Sequence, residues 1–385
     1  MVSAAYIHIP FCRRRCYYCD FPIFVIGDRL RGEISTGIQK YIANLAEEIK
    51  NTNIYGSSLR TVFFGGGTPS LLSVDQIHQV LAVLDQRFGI CKDAEISMEI
   101  DPGTFNFVDI SGFCHVGINR ISLGVQAFQE ELLQFCGRSH TLEDIFMAIK
   151  MIRQVKVPEF SMDLISGLPH QTLAIWQNSL EHAVEISPTH ISIYDLTIES
   201  GTAFDHYFQS GKQPLPEDGT TVKMYCLARQ ILTDAGYEHY EISNYSQPEH
   251  QCRHNRVYWE NLPYYGFGMG AASYLEGKRF TRPRKTQQYY QWVKDGCIMN
   301  CEVTSSGEML LDTLMLGLRL ADGVGIEMLA EKFGGENTEK IQKTLKPFIE
   351  KGWVYIVEGR IKLSDPEGFL FSNMVLSVLF KEFGL

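Results

Sequence analysis

Residues 59–89 read LRTVFFGGGTPSLLSVDQIHQVLAVLDQRFG. A short β-branched and aromatic run stops at three glycines, Gly65, Gly66 and Gly67, and passes through Thr68 and Pro69. Near Ser73 it gives way to apolar residues spaced three and four apart. The first part has the pattern of a strand and the second that of a helix packed on one face. The unit recurs. Strands are predicted in AYIHIPF, AEISMEID, RISLGVQ, FSMDLISGL and HISIYDLTI, and helices in IQKYIANLAEEIK, LEDIFMAIKMIRQV, LAIWQNSLEHAVEIS and TVKMYCLARQILTDAGY. Six βα units in series predict a parallel sheet covered by helices, either doubly wound or a full or partial TIM-like barrel. Cys12, Gly66, Glu99, Gln126 and Asp163 fall at or near the C-terminal ends of these strands, the edge where such folds build their sites.

From about residue 302 the pattern changes to short helices (EMLLDTLMLGLRL, GIEMLAEKFG, IQKTLKPFIEKGWV), a hairpin (YIVEGRIKLS) and a last helix, GFLFSNMVLSVLF. This order is that of a winged-helix-like module. The segment lacks the dense basic face that DNA binding requires, so a lid or a protein contact is expected instead. The formal net charge of −10, from 35 Lys and Arg against 45 Asp and Glu, argues likewise against a nucleic-acid partner. RRR at 13–15 and RFTRPRK at 279–285 are local basic runs, read as solvated loops or patches. No apolar run approaches the roughly 18 residues of a membrane helix, and no secretory signal is recognisable, so a reducing cytoplasm without disulfides is expected. Most of the ten cysteines are scattered singly.

Three are not. Cys12, Cys16 and Cys19 stand in a C-x3-C-x2-C loop directly after the first strand. Such a loop wraps a soft metal or an iron–sulfur cluster. A structural zinc would need a fourth ligand, with His8 or the HQCRH run at 250–254 as candidates. A [4Fe–4S] cluster held by three thiolates leaves one iron open for an exchangeable ligand. Arg13, Arg14 and Arg15 would offset its negative charge, and Pro10, Phe11, Tyr17, Tyr18 and Phe21 would shield it from water. The triple glycine lets backbone approach a ligand closely. It lacks the lysine of a phosphate loop.

Taken together, C-x3-C-x2-C and GGGTP resemble the radical S-adenosylmethionine (SAM) family. YIHIPFC, MEIDPG, SLGVQAF, CGRSH, MDLISGLPHQT, YEISNYS, HNRVYW and YYGFGMGAASY resemble the branch that holds oxygen-independent coproporphyrinogen III oxidase (HemN) and the heme chaperones. The likeness runs from about Tyr6 to Tyr274, and the tail resembles that branch's C-terminal domain. It implies an α/β fold, a partial TIM-like (β/α)6 barrel over residues 1–240. An extension would follow over 241–301, then a mostly helical, winged-helix-like domain over 302–385.

The resemblance further implies a [4Fe–4S] cluster on Cys12, Cys16 and Cys19. SAM contacts would come from Tyr6, Gly66, Gly67, Thr68, Glu99, Gln126, Arg138 and Asp163, with Tyr18 where an aromatic flanks a second SAM in the oxidase. The oxidase adds a fourth cysteine, C-x3-C-x2-C-x-C, and a long arm before the cluster. Phe21 stands at that fourth position here, and eleven residues precede Cys12. Both features favour the chaperone group, whose HNxxYW motif is present as His254, Asn255, Tyr258 and Trp259. The resemblance therefore implies heme contacts at His254, Tyr258 and Trp259, with His250 and Cys252 as alternative ligands. The expected partners are heme and heme-accepting apoproteins, with a homodimer allowed and at most transient membrane association. The alternative is the oxidase reaction itself, an oxidative decarboxylation.

Overall fold

The computed structural model describes residues 1–27, 32, 34–299, 301 and 303–384. Six strands run parallel in chain order, each hydrogen-bonded to the next: β1 (Val2–Ile9), β2 (Gly56–Gly66), β3 (Ile90–Ile100), β4 (Arg120–Gln126), β5 (Glu159–Ser166) and β6 (His190–Asp195). Because the order never reverses, the sheet winds in one direction only. This decides for the partial barrel over the doubly wound sheet, which has a switch point. The strands are apolar and mostly buried on both faces, as parallel strands between helices and a filled interior must be.

The two ends of the sheet do not meet. Beyond β6 lie two antiparallel strands, β7 (Glu238–Glu241) and β8 (Asn244–Ser246), with β8 paired to β6. At the other end β9 (Tyr265–Phe267) lies parallel to β1, with Tyr6 opposite Gly266.

The outer layer comprises α1 (Thr36–Asn51), α2 (Val74–Phe88), α3 (Phe107–His115), α4 (Leu142–Val155), α5 (Leu173–Ile186) and α6 (Asp218–Asp234). Their starts are written in the sequence. Ser73, Asn106 and Thr141 each accept the backbone N–H three residues on, and the Gln76, Asp109 and Asp144 side chains reach back to complete capping boxes. A short helix, α7 (Arg253–Trp259), packs against the sheet from within the extension.

Two expected elements differ. The sixth strand stops at Asp195 rather than running to Ile198: the Leu196 N–H makes the last ladder bond, to the carbonyl of Ser166, where β5 itself ends. The last helix divides into Glu367–Leu370 and Ser372–Glu382.

The helical C-terminal part has its own apolar cluster, centred on Leu314, Leu345, Phe348 and Ile361. Its helices Ser306–Gly317, Ile326–Phe333 and Gly335–Glu350 are joined by a small sheet. There Arg360–Leu363 lies between Val324–Gly325 and Val354–Val357. It meets the barrel along β7: the Ala321 N–H donates to the Tyr240 carbonyl, and the Ile242 N–H to that of Arg319.

Candidate functional site

Ladder register fixes what stands at the C-terminal edge. Ile9 lies opposite Gly66, Glu99 opposite Ser122, Gly124 opposite Asp163, and Ser166 opposite Asp195. These ends open onto a cavity of about 340 Å³. Of the residues expected to contact the cluster or SAM, all but Tyr6 line it. Tyr6 sits beneath, its hydroxyl 3.1 Å from His8 Nδ1 and its ring stacked on Phe63.

The glycine loop and the cysteine loop are stitched together. The Gly67 N–H donates to the Ile9 carbonyl at 2.8 Å and the Thr68 N–H to that of Phe11 at 2.7 Å. A Cβ on Gly67 would sit 2.7 Å from the first of these oxygens and 2.8 Å from the second. Gly66 has φ of +105°, and a Cβ there would strike the His8 ring at 2.3 Å. Two of the three glycines therefore serve the approach of one loop to the other.

A polar chain crosses the cavity wall. The Thr68 hydroxyl lies 3.6 Å from Cys12 Sγ and 3.0 Å from Asp101 Oδ2. Arg138 pairs with the same Asp101 through Nη2 and donates from Nη1 to Cys16 Sγ at 3.3 Å. Arg138 Nε is buried without a partner among the described residues. Gln126 has φ of +67°, a conformation costing about 1–3 kcal/mol that is held where the surroundings impose it. Gly124 makes room beside it: a Cβ there would fall 2.8 Å from Asp101 and 2.9 Å from the Gln126 amide.

The carboxylates are unusual. Burial, with the nearby Asp163 charge, pushes Glu99 up to about 8, although it accepts the Gly66 N–H at 2.9 Å. Burial pushes Asp163 up to about 6, against the Ser122 hydroxyl at 2.8 Å and that of Ser192. An incoming cation is the means by which such groups regain their charge. Burial also pushes the Cys12 thiol up to about 12 and raises that of Cys19. As free thiols they are protonated at neutral pH, and metal must displace those protons.

Among the described residues no three His, Cys, Asp or Glu side chains converge as ligands of one ion. His8 is turned to Tyr6 and to the Pro22 carbonyl at 3.3 Å. A [4Fe–4S] cluster asks something different of its ligands. Each thiolate binds its own iron, so the sulfurs need to line a chamber rather than meet at a point. Three thiols on one wall, a guanidinium and a hydroxyl beside two of the sulfurs, and a partnerless Arg138 Nε suit that group.

HNxxYW lies elsewhere. The N-terminus of α7 sits on Glu95, which accepts the N–H groups of Arg253 at 3.0 Å and His254 at 2.9 Å. Arg120, at the start of β4, stands 3.6 Å from Glu95, and Glu159, at the start of β5, holds His250 at 2.9 Å. The motif thus closes the floor of the barrel, opposite the cavity. His254 is fully buried, with Nδ1 2.9 Å from the Thr61 hydroxyl, Nε2 2.9 Å from that of Tyr258, and its ring on Phe63. Burial lowers it to about 3, so the imidazole is neutral. Asn255 bonds Tyr240 and Trp259 bonds Glu241. Cys252 faces Glu95 at 3.5 Å.

Residues 6–183 match the model of the Radical SAM superfamily and residues 305–371 that of the HemN C-terminal domain. A heme chaperone HemW from a Synechocystis strain is 47% identical over 99% of this chain and 97% of its own. The chain belongs to the HemW family of radical SAM proteins. HemW proteins of Bacillus subtilis and Escherichia coli are 31% and 33% identical over 99% and 98% of the chain, and cover 100% and 98% of their own lengths. The coproporphyrinogen III oxidase HemN of Escherichia coli shares the fold, with a TM-score of 0.83 over 98% of this chain and 90% of its own, at 22% identity. Membership in the radical SAM superfamily implies a [4Fe–4S] cluster and SAM; the cavity gathers the residues that the sequence reading expected to contact both, Tyr6 excepted.

Among the lining residues that escaped the sequence reading, four carry chemistry at strand ends: Asp101, Ser122, Tyr194 and Asp195. All four lie in or just beyond the last five residues of a strand. The rule that singled out Glu99 and Asp163 would have reached them too.

Proposed function

We propose that the protein is a heme chaperone: it binds heme and passes it to an acceptor apoprotein. In this reading Cys12, Cys16 and Cys19 hold a [4Fe–4S] cluster whose open iron takes exchangeable SAM. Gly66, Gly67, Thr68, Glu99, Gln126, Arg138 and Asp163 surround the SAM, with Tyr6 beneath and Tyr18 at the rim. The observation that carries the proposal is full-length similarity to heme chaperones together with Phe21, a side chain without a ligating atom, at the mouth of the three-thiol cavity. Bound there, the cluster supplies one-electron chemistry and a Lewis-acidic iron. The protein's own share is to pair Arg138 with Asp101, to point hydroxyl and guanidinium donors at sulfur, and to hold Glu99 and Asp163 ready for a cation.

His254, Tyr258 and Trp259 remain the proposed heme contacts on the condition that the floor opens. Both His254 nitrogens are engaged, so iron ligation requires Thr61 or Tyr258 to let go. We place the work in the cytoplasm and divide the chain at about residues 240 and 301. Among the described residues no helix is long and apolar enough to cross a membrane.

Anaerobic reconstitution followed by heme titration tests this. A Soret band is expected, weakened by His254→Ala, and failure of cluster-replete protein to bind heme would sink the proposal. Incubation with coproporphyrinogen III, SAM and a reductant is expected to give no vinyl product.

A further inference from the structure

The cavity does not end at the thiols. Tyr194, Asp195 and Leu196, at the C-terminal end of β6, are shared with two further recesses of about 330 and 290 Å³ beside the cavity. Their far wall is the helical C-terminal part, with Phe369, Leu370, Ser372 and Asn373. Tyr225 and Leu370 border both recesses. The connected space is of the size that takes a cofactor or a drug-sized ligand. It is flanked by apolar and aromatic surface.

Among the described residues that line these two recesses, one is a cation. Arg319 lines the larger recess, and its Nη2 donates to Asn373 Oδ1 at 2.9 Å. Nε is buried without a partner, and among the described residues no carboxylate lies within ion-pair distance of the guanidinium. Behind it stands Glu241, fully buried. That carboxylate is already occupied by the Ser243 N–H at 3.0 Å, the Asn244 amide and the Trp259 indole. Burial lowers Arg319 below the ordinary arginine range. A desolvated guanidinium with open donors is a site for a planar anion, and a carboxylate matches its fork. Asp195, the carboxylate where the recesses meet, is turned to the Ser166 hydroxyl.

We propose that this recess takes the heme macrocycle edge-on, with one propionate carboxylate on Arg319 and the tetrapyrrole lying along the edge of β6 towards the cluster cavity. The inference rests on the heme-chaperone reading and adds a site that HNxxYW does not provide. Trp259 bonds Glu241, the carboxylate behind Arg319, so the two proposed heme-contact regions adjoin.

The test uses full-length, cluster-reconstituted protein titrated in parallel with heme and with heme dimethyl ester, whose propionates are blocked. The wild type is expected to bind heme about tenfold or more tightly than the ester, the worth of a hydrogen bond to a charged group. Arg319→Gln is expected to weaken heme by that factor, to leave the ester within about twofold, and to keep SAM binding. Arg319→Lys should recover part of the preference. Asn373→Asp, at an exposed position, places an internal carboxylate on Arg319 and is expected to erase the preference without touching the core. That variant keeps the proposal open to refutation if Arg319→Gln does not fold. A preference for free-acid heme that survives in either variant overturns the inference while leaving the chaperone reading intact. Absence of heme binding by the wild type overturns both.

Discussion

Lowering the pH from 7 to 5 tests how His254 is held. Its two nitrogens meet two hydroxyls at 2.9 Å, so the neutral ring donates to one and accepts from the other. Protonation would turn both into donors inside a site closed to water. With its value lowered to about 3 in the fold, against about 6.5 when unfolded, the neutral form carries the stability. That contribution is complete above the unfolded value and drains away as pH falls from about 6.5 towards 3. At pH 5 the loss is one and a half pH units, roughly 2 kcal/mol. Glu241, raised to about 7 by burial, works in the opposite sense over the same window, so the informative quantity is a difference between proteins. His254→Gln retains a donor and an acceptor but does not titrate. Urea unfolding at both pH values is expected to show the wild type losing roughly 2 kcal/mol more than the variant. The His254 ring-proton NMR signal should stay put down to pH 5. Equal losses in the two proteins, or a signal titrating near 6.5, would refute the assignment.

Three other outcomes are expected. Glu48 and Arg282, both fully buried and 2.7 Å apart, tie α1 to the segment after β9. Glu48→Gln leaves the guanidinium uncompensated and should cost about 3–5 kcal/mol in thermal or urea unfolding; a cost below about 1 would contradict the pairing. Gly67→Ala drives a methyl into the Ile9 and Phe11 carbonyls, so iron and sulfide content after reconstitution should fall, with an overpacking penalty of about 1–3 kcal/mol. Arg138→Leu strands Asp101 and removes the donor to Cys16. SAM affinity by calorimetry is expected to drop about tenfold or more, and unchanged affinity would remove Arg138 from the site.

The barrel was legible because its signals are local. Polar and glycine residues at the ends of apolar runs marked the working edge, and Ser73, Asn106 and Thr141 marked helix starts. Asp101 went unread although it ends the AEISMEID run, where the strand-end rule applies; its partner was not legible, since nothing in the string says that Arg138, 37 residues on, will pair with it. β9 was invisible because three residues inside a glycine-rich stretch carry no periodicity. HNxxYW supplied residue types without saying which end of the barrel they occupy. That depends on Glu95, more than 150 residues earlier, receiving the α7 N-terminus. Arg319 was counted into a helix that stops at Gly317, so its turn towards β7 could not be foreseen.

β1 has two neighbours, and the second is β9. At about 5–20 residues per second of synthesis, roughly 10–50 s separate the appearance of Ile9 from that of Phe267. Through that interval the strand that carries the cysteine loop has one edge unpaired, and the three thiols have no finished chamber until the chain has passed Thr197. The proposed cluster cysteines, among the first residues made, thus wait for about half of the chain before their chamber is complete. A cluster delivered early would meet a half-built seat, and in the presence of oxygen the newborn chain is at its most vulnerable before its final third has emerged.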